Sequence, residues 1–145
     1  MPMKRGNHQI TSEFIGDGEV KKADLDTKIT ITLQAWQETA ASNTIAMGIC
    51  PKDGTIVSCK AACITVPASG ESMSIDVKKN NVSILSSPIT IDDSATARTA
   101  IDGTLDSGQV SVSAGDFFEA ELTYTAGGSP TPMTDTVVTV EIELS

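Results

Sequence analysis

Wherever the chain is apolar, it tends to be apolar at every second position, the period of a strand with one face buried. The clearest run is residues 27–35. There Ile29, Ile31, Leu33 and Ala35 fall on one side of an extended backbone, and Lys28, Thr30, Thr32 and Gln34 fall on the other. A longer unit occupies residues 73–91, MSIDVKKNNVSILSSPITI. Ile75 and Val77 oppose Ser74, Asp76 and Lys78, and Lys79, Asn80 and Asn81 then supply charge and tolerance of the left-handed backbone, which predicts a turn. Val82, Ile84 and Leu85 resume the apolar character. Ser86, Ser87 and Pro88 break it, because proline has no N–H for a central ladder, and Ile89 and Ile91 alternate again before Asp92, Asp93 and Ser94. The unit reads as strand, turn, strand, break, strand.

The rest of the chain repeats this style. Residues 10–15 can extend, with Gly16, Asp17 and Gly18 as a hairpin turn into Glu19 and Val20. A loop over 37–44 leads to Ile45, Met47 and Ile49, and Pro51, Lys52, Asp53 and Gly54 make the next turn. Residues 55–66 read as one long strand whose apolar face shifts from Val57, Cys59 and Ala61 to Ile64 and Val66, which predicts a bulge near Ala62. Residues 92–97 fit one helical turn or a loop, followed by strands over 98–105, 109–112, 117–125 and 136–144. Phe118, Ala120, Leu122 and Tyr124 share a face, as do Val138, Val140, Ile142 and Leu144, and Gly127, Gly128, Pro130 and Pro132 mark a loop between these two strands. The pattern predicts an all-β fold, an antiparallel two-sheet β-sandwich of jelly-roll-like build. Residues 1–12 read as an extended N-terminal arm and residues 13–145 as a single domain, with no internal repeat and no linker.

Charge sharpens this picture. Residues 1–91 hold nine basic and nine acidic side chains, whereas residues 92–145 hold one Arg against ten acids, so the last third carries the whole net charge of −9. Two readings are open: a solvated acidic face that maintains solubility, or a third of the chain that faces outward in an assembly while the neutral part docks. On either reading an acidic surface repels phosphate, which argues against nucleic acid as a partner. No apolar stretch is long enough to span a bilayer and no signal peptide follows Met1, so the expectation is synthesis in a cytosol and no membrane partner.

Candidate chemistry is sparse. Cys50, Cys59 and Cys63 lack pair spacing and read as small buried thiols rather than a disulfide framework. With a single histidine, His8, they do not make a zinc site, and no base stands beside a nucleophile for serine-type catalysis. Asp92, Asp93, Asp102 and Asp106 lack the spacing and terminal Glu of a calcium loop and suit turn and cap roles. Acids on alternating strand faces are read as solvated, so no catalytic pair is assigned and no cofactor is implied. Trp36, the only tryptophan, follows on the polar face of its strand. It either covers the edge of the core or anchors a partner subunit.

The run GTIVSCKAACITVPASGESMSIDVKKNNVSILSSPITI, with the later AGDFFEAELTYTA and the closing TDTVVTVEIELS, resembles a β-sandwich domain of tailed-bacteriophage structural proteins, most nearly a capsid decoration (cement) protein. The shared features are a G-T-I strand start at Gly54–Ile56, an x-D-V-x-x-N strand end over Asp76–Asn80, an S-I-L-S segment at Ser83–Ser86, an A-G-D turn at Ala114–Asp116 and a terminal alternating strand over Val137–Leu144. Where that group usually has glycine after the asparagine, this chain has Asn81. The resemblance implies a non-enzymatic virion protein on the outer capsid surface, a homotrimer partnered by the major capsid protein. The polar arm, with Met3, Lys4, Arg5, His8 and Ile10 able to order on a neighbour, and Trp36 read as an anchor supply the candidate interface residues. The competing expectation is a receptor- or carbohydrate-binding β-sandwich module of a phage tail or fibre, disfavoured by the shortage of aromatic side chains for a sugar platform.

Overall fold

The computed structural model describes residues 29–128 and 133–145, and the alternating runs there become antiparallel strands. In chain order these are β1 (Ile29–Thr39), β2 (Asn43–Ile49), β3 (Gly54–Ala62), β4 (Ser72–Lys79), β5 (Val82–Ser83), β6 (Ile89–Asp92), β7 (Ile101–Asp102), β8 (Ser111–Val112), β9 (Phe117–Thr125) and β10 (Thr134–Leu144). One sheet runs β1-β10-β3-β7 with β8 also on β3, and the other runs β2-β9-β4-β5 with β6 also on β4. The two sheets pack face to face over a single core.

The pairing is nested. β1 pairs with β10, β2 with β9, β3 with β7 and β8, and β4 with β5 and β6. The chain is therefore one long hairpin, doubled back at Asn80 and Asn81 and rolled so that successive pairs alternate between the sheets, which is the jelly-roll arrangement. Asn80 (φ 48°) and Asn81 (φ 70°) both take the left-handed backbone between the paired Lys79 and Val82. Two positive φ angles in a two-residue loop make the turn whose twist matches its flanking strands, and asparagine is among the few residues that tolerate them. Asn80 is also clamped: its Oδ1 accepts from the Phe117 N–H at 2.9 Å and its Nδ2 donates to Asp116 at 2.7 Å.

Alternation supplies the core. Met73, Ile75 and Val77 of β4, Phe118, Ala120 and Leu122 of β9, and Val138, Val140 and Ile142 of β10 are all buried. In β3 the predicted bulge exists at a different place. Glu141 pairs with Ser58 but Ile142 pairs with Ile56, so Val57 is the extra residue. The slip exchanges the faces. Ile56 and then Cys59, Ala61 and Cys63 reach the core, while Val57 stands 46% exposed and Ile64 also faces out. A second slip in β2, between Ala46 and Gly48, buries Met47 and turns Ile49 out of the core face that alternation gave it.

Other boundaries also move. Residues 37–39 belong to β1 and 43–44 to β2, because pairing with β10 continues to Thr39↔Thr134; only Ala40, Ala41 and Ser42 connect the strands. The strands expected over 98–105 and 109–112 shrink to the two-residue β7 and β8. After β6 ends at Asp92 the chain turns, with the Ser94 N–H donating to Asp92 Oδ1 at 2.9 Å and the Ala95 N–H to the Asp92 carbonyl at 3.1 Å. The expected arm over 1–12, the hairpin at 10–20 and the start of the strand at 27–28 lie outside the described residues.

Candidate interface

The two outer faces differ in chemistry. On the sheet of β2, β9 and β4, the outward row is polar: Lys78 forms an ion pair with Glu121, and the Ser83 hydroxyl donates to Asp76 Oδ1 at 2.6 Å. The Glu121 carboxylate holds the Lys78 ammonium above its usual range. On the sheet of β1, β10 and β3, an apolar row crosses three strands in register. Trp36 pairs with Val137, and Val137 pairs with Ala62.

Trp36 is 54% exposed, so it does not seal the core; it stands on the outer face beside Val137. Next to it a shallow groove of about 190 Å³ is lined by Lys60, Ala61, Ala62, Ala100, Val137 and Thr139. Lys60 at its rim is paired with Asp102 at 3.1 Å, which neutralises the one cation there and raises its pKa. Small side chains at Ala62 and Ala100 make the depression, and Trp36 stands on the far side of Val137, which lines it. An apolar, largely uncharged strip of this kind contributes binding energy by removing area from water, with no covalent chemistry. A smaller exposed pair, Ile49 and Phe117, sits opposite each other on the second sheet.

The other reactive side chains are withdrawn. Cys50, Cys59 and Cys63 are all buried. Burial, and then the charge of Asp76, pushes the Cys59 thiol up to about 12, and burial raises Cys63. A thiol held protonated in this way is a poor nucleophile at neutral pH. The Tyr124 phenol is raised too, first by burial and then by the neighbouring Glu71 carboxylate. Among the described residues no group of His, Cys, Asp and Glu could hold a metal ion, and no helix is long and apolar enough to cross a membrane.

Cys59 makes the alkaline limit of the fold testable. Its folded pKa lies above the unfolded one, so its contribution is fully present below the ordinary thiol pKa of 9.0 and is lost as pH rises from there towards about 12. Thermal melts of the native chain should therefore fall between pH 8 and pH 10.5, and Cys59→Ala should fall less over the same interval. Equal slopes for the two proteins would refute that assignment.

Of the sequence-derived interface residues, the structure places Trp36 on an outward, apolar strip. Met3, Lys4, Arg5, His8 and Ile10 lie outside the described residues. Sequence reasoning missed Val137, Ala62 and Ala100. Val137 was detectable as the one apolar residue on the polar side of an otherwise alternating β10, but Ala62 and Ala100 join it only through pairing. The acidic last third is not segregated either. Its β9 and β10 sit between other strands in different sheets, so Glu119 and Glu121 face one side and Asp135, Glu141 and Glu143 the other. The interleaving of the roll thus divides the acidic residues between the outer faces of both sheets.

No protein-family model matches the chain, and no curated protein matches it in sequence. Among solved structures, the fold is similar to a chain of the "Acidic stable capsid structure of Helicobacter pylori bacteriophage KHP30", with a TM-score of 0.55 and 12% identity, over 80% of this chain and 88% of that chain. At that identity the likeness is one of fold.

Proposed function

We propose that this chain is a non-enzymatic structural protein of a bacteriophage virion, a small jelly-roll tile that binds the outside of the capsid as an oligomer and stabilises the shell. The observation that carries the reading is the fold shared with a chain of a phage capsid structure over most of both lengths. The outward strip of Trp36, Val137 and Ala62 adds to it, because a tile that acts by area needs an apolar contact surface. The partner in this reading is the major capsid protein. Self-association follows the homotrimer that the sequence resemblance implies, and residues 1–12, with Met3, Lys4, Arg5, His8 and Ile10, extend the contact as an arm. Several weak contacts per oligomer then add through avidity.

Mass spectrometry of particles purified from the phage that encodes this chain tests the reading. The chain is expected in many copies per particle, and its absence from them would sink the proposal. Trp36→Ala, at an exposed position, should leave the melting temperature within a degree or two and lower the number of copies retained on particles. Undiminished retention would remove the strip from the contact. One observation favours a second reading, a carbohydrate-binding module of a tail or fibre: an exposed tryptophan beside a shallow groove is the platform on which sugar rings stack. Binding on a glycan array that is lost in Trp36→Ala would select this reading over the first.

A further inference from the structure

The four edges of the two sheets are not equivalent. β2 is interrupted by its slip at Met47 and Gly48, and the edge made by β5 and β6 is broken at Ser86, Ser87 and Pro88. β7 and β8 are two residues each. Short strands, bulges and prolines are the usual means by which a sheet edge is kept from pairing with another chain. β1 has none of them. It is 11 residues long, contains no proline or glycine, and keeps one unbroken register with β10 from Ile29↔Leu144 to Thr39↔Thr134. Among the described residues nothing pairs with its other side. It is also nearly uncharged: in a chain of net charge −9, the sequence ITITLQAWQET carries only Glu38.

We infer that the open edge of β1 pairs with β1 of a second copy of this chain, antiparallel about a two-fold axis at Gln34. Full overlap of residues 29–39 fixes that register, since Gln34 is their midpoint. It places Gln34 opposite Gln34, Thr32 opposite Trp36 of the second copy, and Leu33 opposite Ala35 of the second copy. Inward-facing residues meet inward-facing ones, as an in-phase ladder requires. The two Glu38 carboxylates lie at opposite ends of the pairing, each across from a Thr30, so no like charges meet. This neutrality is what favours a second copy as occupant: two chains of the same negative sign can approach closely along β1, whereas the acidic rows of Glu119 with Glu121 and of Glu141 with Glu143 would face like charge. The contact makes one continuous sheet of two copies and sets the two Trp36 side chains on a common outer surface. On a shell, it would tie one oligomer to the next.

The pairing needs only this chain, so its test stands apart from whether the chain is found on particles. The full chain carrying Gln34→Cys presents one exposed thiol, because the native three are buried. Thr123→Cys, exposed on the outer face of the other sheet, is the control. Under a mild oxidant Gln34→Cys should give a covalent dimer well ahead of the control, since directly opposed Cβ atoms about 4.5–5.5 Å apart come close to the span of a disulfide. Gln34→Glu, which sets two carboxylates against each other, should weaken two-fold association about fivefold in sedimentation without moving the melting temperature. Cross-linking no faster than the control, association unchanged by Gln34→Glu, or a chain that never passes beyond monomer would each overturn the assignment.

Discussion

Replacing Phe118 with alanine should cost about 3–5 kcal/mol of folding stability, the usual range for deleting a fully buried ring. Among the described residues Phe118 is the largest side chain with no exposure, and it lies on β9, between Gly48 of β2 and Lys79 of β4. The size of the loss depends on whether the surroundings can close over the missing ring. Here they are pinned. The Cys50 N–H donates to the Asp116 carbonyl at 2.8 Å and the Asn80 N–H to the Phe117 carbonyl at 2.9 Å, so the strands on both sides are tied to the backbone that carries the ring. Gly48 also lacks a side chain that could swing in. Urea denaturation should show the midpoint falling at constant slope. A loss below about 1 kcal/mol would mean that the neighbouring strands collapse after all, contrary to the pinned geometry.

Gly54→Ala is the second large effect, and here the cause is a backbone atom rather than a cavity. A Cβ at Gly54 would lie 2.4 Å from the Glu143 carbonyl oxygen and 3.2 Å from Ile142 Cγ2. Gly54 opens β3, where it pairs with Leu144 of β10 on one side and Val112 of β8 on the other, so relief of the clash must shift a three-strand ladder. The adjoining Ser145 N–H bond to the Asp53 carbonyl, at 3.0 Å, moves with it. Forced displacement in a packed region costs about 1–3 kcal/mol, and the upper half of that range is expected because the obstacle cannot rotate away. Gly128→Ala, where no atom of the described residues lies within 4 Å of an added Cβ, is the matched control and should fall within about 0.5 kcal/mol of the native chain. Equal melting temperatures for the two variants would contradict the close approach at Gly54.

Gly54 also shows how far the sequence could be read. In the sequence the glycine reads as part of a turn and of a strand start, but its physical reason is a carbonyl 89 positions later in the chain, which no local pattern contains. The bulges follow the same logic. Alternation through Val57, Cys59 and Ala61 is a consistent pattern on its own, and only pairing against β10 reveals that Val57 is surplus and that Ile56 is the buried residue. The apolar strip was half visible. Trp36 stood on the polar side of its strand by parity alone, while Ala62 joins it through Val137 from a different part of the chain.

What the sequence determined by itself is whatever depends on a few neighbouring residues: the period-two strands of β1, β4, β9 and β10, the left-handed turn at Asn80 and Asn81, the break at Pro88, and hence an all-β sandwich. Backbone sterics and side-chain alternation act over that range and leave their mark in every short window. Only the tertiary structure decided the nested pairing about Asn80 and Asn81, the residues at which the strands slip, the mixing of acidic strands into both sheets, and the long edge of β1, which nothing pairs among the described residues. Those features are set by which distant strands share hydrogen bonds, a choice made by the joint burial of both sheets rather than by any single stretch.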